Sequence, residues 1–73
     1  MVQNEELRQA FAQRLKAALR NVGQDSWGAG AYLRDVAHVS DKAASKWLNG
    51  EATPGRANMM TIADHLGVRI EWL

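Results

Sequence analysis

The sequence predicts an all-α fold of five short helices. Three observations predict it. Apolar residues recur at three- and four-residue spacing through nearly the whole chain, with no strand pattern between them. Glycines stand just past the ends of the apolar stripes, at positions 23, 50 and 67. A chain of 73 residues without cysteine has no disulfide to support it and must rely on one small core.

The first helix is expected over about 4–22, where Leu7, Phe11, Leu15, Ala18, Leu19 and Val22 form one stripe before Gly23. "GQDSWGAG" follows as a loop with three glycines, in which Ser26 is placed to cap a helix starting at Trp27. A second helix is expected over about 29–37, with Leu33, Val36 and Ala37 inward. Val39-Ser40 is a short break. Ser40 is a favourable N-cap for a third helix over 41–49, and Asp41 suits the positive end of its dipole. Asn49-Gly50 stops that helix. In "EATPG", Thr53 is expected to cap a fourth helix over about 54–66, with Pro54 at its first position. Met59, Ile62, Ala63 and Leu66 line one face of it, up to Gly67. "VRIEWL" predicts a fifth helix over 69–73. The whole of 1–73 is expected to be a single domain, and its apolar ending predicts that it is truncated from a longer chain.

Composition excludes more than it names. The net charge is only +1, which by itself does not announce a polyanion-binding protein. The distribution is more informative: four basic residues and no acid lie from Arg8 to Arg20, while Glu5, Glu6, Asp25, Asp35, Asp64 and Glu71 lie elsewhere. A solvated helix face is the plainer account of that segment. No apolar run approaches the roughly 20 residues a membrane helix needs, and no signal-peptide pattern opens the chain, so a cytoplasmic protein is expected. There is no nucleophile beside a base and no phosphate-binding glycine loop, so no enzyme is expected. His38 and His65 are too isolated for a metal site, and neither cofactor nor small-molecule ligand is expected.

The chemistry concentrates in "SDKAASKWLNG", residues 40–50. On a helical wheel, Ala44, Trp47 and Leu48 share one side, and Asp41, Lys42, Ser45, Lys46 and Asn49 take much of the other. Ala44 lets a neighbouring helix come close, and Trp47 and Leu48 anchor the inner side. Ala43 and Ser45 keep the outer side slim between two long lysines. Such a helix fits a DNA major groove about 12 Å wide, and it also fits an ordinary surface. A short helix, a short break and then this helix make the helix-turn-helix layout, in which the second helix reads the groove.

At this point the sequence resembles the lambda-repressor-like helix-turn-helix domains of phage repressors, Cro proteins and bacterial regulators. The matching residues are "RLKAAL..VG" (14–23), Leu33, Val39-Ser40, "S.WLNG" (45–50) and "IADHLGV..EWL" (62–73). The resemblance implies a compact five-helix domain and a double-stranded DNA operator as partner. It places Asp41, Lys42, Ala43 and Lys46 where family members contact base edges. Lysine can donate to guanine O6 and N7, aspartate can accept from cytosine N4, and an alanine methyl can meet a thymine methyl. For Asp41, a helix-charge role stands beside base readout. The resemblance implies backbone contacts from Ser45, Asn49 and Arg56, and from Arg14 among the basic residues of the first helix. Five positions depart from the pattern. Ala29 and Gly30 replace a polar residue, often glutamine, so a backbone N–H around Gly30 would make that contact. His38 stands at a tight turn that is usually glycine. Arg34 stands where alanine is usual, and its head is expected near phosphate. Arg69 replaces a small capping residue.

Family members often pair through the last helix, which implies a weak homodimer through Val68, Ile70, Trp72 and Leu73; the other reading of Trp72 is a plug in the domain's own core. The function implied is a sequence-specific DNA-binding transcription regulator, a prophage or bacterial repressor that occludes a promoter at a pseudo-palindromic operator. The alternative is a small helical interaction module, adaptor or antitoxin-like, using the same fold on a protein partner.

Overall fold

In a computed structural model, described for residues 5–24 and 28–73, the chain forms four helices: α1 (Glu5–Asn21), α2 (Ala29–Ala37), α3 (Asp41–Asn49) and α4 (Arg56–Leu66). No strand occurs among the described residues. The all-α expectation holds, and the count of five does not. In place of a fifth helix, residues 70–72 form a single turn, in which the N–H groups of Trp72 and Leu73 donate to the Arg69 carbonyl at 3.0 and 3.3 Å. Apolar spacing in "VRIEWL" is helical, but spacing alone does not decide whether the backbone closes into a helix. Leu73, buried in the core, fixes the turn instead.

The start of α4 also differs from expectation. Thr53 does not cap it and Pro54 does not open it: Gly55 is the N-cap, in extended backbone at φ −66 and ψ 171, and the helix begins at Arg56. Glycine ranks with threonine as an N-cap, so capping preference alone does not decide between them. Pro54 is buried, which secures the connection from α3. The proposed Ser26 cap and helix start at Trp27 lie outside the described residues, as does the start of α1 at residue 4. The N-cap of α2 is Gly28, with no side-chain capping bond.

Leu15, Leu19, Leu33 and Ile62 are fully buried at the centre, with Phe11, Trp47, Leu66 and Leu73 around them. The helix α3 packs on α1 and α2, and α2 packs on α4. The apolar stripe of α1 is longer than the core it faces. Its 17 residues span about 25 Å, against about 13 Å for the nine of α3. Its ends therefore overhang: Leu7 is 55% exposed and Val22 is 40% exposed.

The turn between α2 and α3 depends on His38, the residue other than glycine with positive φ among those described (φ 56, ψ 48). The N–H groups of His38 and Val39 both donate to the Arg34 carbonyl, closing α2 and reversing the chain. The imidazole is exposed, so the residue incurs left-handed strain without burying a side chain. His38→Gly is expected to raise stability by about 0.5–1 kcal/mol, the relief of strain less the entropy of a freer unfolded chain. Urea denaturation should show a higher midpoint at an unchanged slope; an unchanged or lower midpoint would mean that the imidazole stabilises the turn.

Candidate nucleic-acid interface

The helix α3 is delimited by its own sequence. The Ser40 hydroxyl accepts the Ala43 N–H at 3.1 Å, the N-cap bond that satisfies one of the helix's orphan donors. At the other end Gly50 adopts φ 75, and its N–H donates to the carbonyls of Lys46 and Trp47. Between these caps the inner side is secured by Ala44, fully buried, and Trp47, 5% exposed, with Leu48 half-buried beside them. Asp41, Lys42, Ser45, Lys46 and Asn49 are exposed on the outer side. Ala43 lies on the border, half-buried against the core.

Two side-chain arrangements join this outer side to the rest of the domain. At the C-terminal end the Gln9 amide, reaching from α1, donates to the Asn49 carbonyl at 3.3 Å. A Cβ on the adjoining Gly50 would stand 2.5 Å from Gln9 Nε2 and displace that amide from its place, and the φ of 75 at this position itself favours glycine. The Asn49 side-chain amide in turn donates to the Ser45 hydroxyl at 3.5 Å, a loose one-turn contact along the face. At the N-terminal end Arg34 of α2 reaches across the turn. Its Nε meets Asp35 Oδ1 at 3.0 Å and its Nη1 meets Asp41 Oδ1 at 3.0 Å. The Asp35 carboxylate first, and Asp41 after it, raise the Arg34 pKa above its ordinary value, so the guanidinium is charged at every pH the fold meets. Arg34 therefore faces carboxylates rather than standing alone on the surface, and Asp41 is paired rather than acting as the cap, which is Ser40.

The other residues singled out from sequence are dispersed. Arg14 is exposed on α1, Arg56 is exposed at the start of α4, and Gly30 is half-buried in the first turn of α2. Gln9 and Asp35 were not among the residues singled out. Gln9 is 40 residues from its partner, so no local pattern points to it. Asp35 had a visible signal, an acid adjoining the unusual Arg34.

At the C-terminal end Leu73 is 8% exposed in the core, Val68 and Ile70 are half-buried against it, and Trp72 is 44% exposed. A shallow groove of about 350 Å³ runs nearby, lined by Met60, Ala63, Asp64, Val68 and Ile70. Among the described residues no group of three or more His, Asp or Glu side chains is placed to hold a metal ion. Among the described residues no helix is long and apolar enough to cross a membrane.

A helix-turn-helix family model matches residues 31–73, a stretch that takes in all but the first two residues of α2, the turn, α3 and everything after it. The "26 kDa repressor protein" of Escherichia phage HK022 is 40% identical over 73 residues, which cover 100% of this chain and 31% of that protein. The chain thus spans about a third of the length of that relative. No solved structure matches the chain.

Proposed function

Because the chain belongs to the lambda-repressor-like helix-turn-helix family, whose model covers more than half of it, we propose that it is the DNA-reading part of a transcriptional repressor of the phage type. The observation that carries this reading is the outer face of α3. Lys42, Lys46 and Asn49 project from a helix whose own bulk is small and whose inner side is fixed by Ala44 and Trp47. A helix offered this way can enter a major groove without moving its supports. Lys42, Lys46 and Asp41 are then the base-reading groups, with Ala43 at the edge of the contact. Arg14, Gly30, Arg34, Ser45, Asn49 and Arg56 meet the backbone. Binding at a pseudo-palindromic operator would block a promoter sterically and needs no chemistry, in the cytoplasm on the bacterial nucleoid.

A weak homodimer would present two such helices one DNA turn apart. Trp72 and the half-buried Val68 and Ile70 supply the apolar surface for it, while Leu73 contributes from beneath because it is already in the core.

Selection of sites from random duplex DNA tests the reading. An enriched motif is expected, with affinity falling steeply between about 50 and 200 mM salt as bound counterions are released. Absence of enrichment, together with salt-insensitive association with a protein partner, would favour the interaction-module alternative.

A further inference from the structure

The Arg34 guanidinium lies between two carboxylates at the junction of α2 and α3. The three groups together carry one more negative than positive charge. They sit at the N-terminal end of α3, the end that enters the groove first in a helix-turn-helix. This placement is unfavourable for a surface that binds DNA only by charge. Asp41 at 77% exposure and Asp35 at 72% would both repel phosphates, and they engage the one cation that projects from α2. Two exposed carboxylates on one arginine add little to stability. Their effect falls on what Arg34 can touch.

We propose that Asp41 is a specificity-determining residue that acts by withholding Arg34 from DNA phosphates until a base edge takes its place. Arg34 Nη1 donates to Asp41 Oδ1 in the free protein. Asp41 stands in the first turn of α3, where its carboxylate can turn to accept from a base amine such as cytosine N4. A matching base therefore releases one arm of Arg34 to the backbone, and a mismatched one leaves it engaged. Base readout and phosphate contact become coupled, which penalises random sequence more than the two contacts would separately. The proposal rests on the DNA-binding reading above.

The test is a double-mutant cycle on random-sequence duplex DNA, titrated from about 50 to 200 mM salt, with the intact chain, Asp41→Asn, Arg34→Gln and the double variant. Asp41→Asn is expected to bind random duplex about fivefold more tightly, the upper end for breaking an exposed ion pair. Its salt dependence should steepen by about 0.9, one further phosphate. In the Arg34→Gln background the same change should give only the smaller gain from Asp41's own repulsion, with no steepening of the salt dependence. Asp35→Asn, which frees the other arm, should give a smaller gain of the same sign. Circular dichroism should show all variants helical, since Ser40 and not Asp41 caps α3. An equal gain from Asp41→Asn in the Arg34→Gln background would overturn the proposal, because Asp41 would then act by its own charge alone. No gain in either background would also overturn it. If none of the four proteins bound duplex at 50 mM salt, the DNA-binding reading itself would fall, and the proposal with it.

Discussion

Trp47→Ala is expected to remove most of the domain's stability. Domains hold roughly 0.05–0.15 kcal/mol per residue, which for a chain this short is about 4–11 kcal/mol, and small cores tend to the low end. Truncating a buried tryptophan costs about 3–5 kcal/mol through lost burial and the cavity left behind. Trp47 is 5% exposed and is the one large, fully inward side chain of α3; its companions are an alanine and a half-buried leucine. The cavity would open between α3 and the helices it packs on, α1 and α2, so α3 would lose its support along most of its length. A loss of this size corresponds to a fall in Tm of more than about 12 °C for a domain of this length. Thermal melting followed by helical circular dichroism checks it, with Trp47→Phe as the milder control. A melt within a few degrees of the parent would mean that α3 is held by its caps and ends rather than by its inner side.

The reliance on Trp47 explains which parts of the fold were legible in the sequence. The boundaries of α3 and the end of α4 follow from Ser40, Asn49-Gly50 and Gly67, each acting on backbone groups within a few residues of itself. Helices that obey such local rules can be read in one dimension. The expected fifth helix failed because periodicity reports where apolar side chains fall and not whether the backbone between them closes into a helix. The first turn of α4 failed for a related reason: Thr53 and Gly55 are comparable caps, so local capping preference does not choose between them. Leu7 and Val22 follow the stripe of α1 faithfully, yet face water because the neighbouring helices are too short to cover them.

The candidate interface divides in the same way. The two sides of α3 are a property of helical spacing, so the buried positions of Ala44 and Trp47 and the exposed lysines were readable. Arg34 and Asp41 are seven residues apart, which within one helix would put them on the same face but two turns, about 10 Å, from each other. Here they meet because His38 turns the chain between them. That turn requires a left-handed residue at His38, which the histidine itself does not announce and the resemblance to a family with glycine there does. The Gln9 contact with Asn49 depends on how α1 lies against the end of α3, a tertiary arrangement that no local pattern reports.

Lys46→Ala is expected to leave the fold intact and to weaken binding to the preferred duplex by about 1–3 kcal/mol, roughly 5- to 150-fold, while flattening the preference at one or two base pairs. Lys46 is exposed in the last turn of α3, and alanine is at least as good a helix former, so the loss falls on the partner and not on the domain. Its distance from Lys42 sharpens the expectation. Four residues of helix rise about 6 Å, and base pairs are stacked about 3.4 Å apart, so two lysines on one face that follow the groove address positions about two base pairs apart. Lys42→Ala should therefore flatten a different position, displaced by that amount from the one that Lys46 reads. Competition among duplexes that each carry one substitution in the selected site measures both profiles. Uniform weakening across all of them would make Lys46 a phosphate contact, and loss of preference at the same position in both variants would mean that α3 crosses the groove steeply instead of following it.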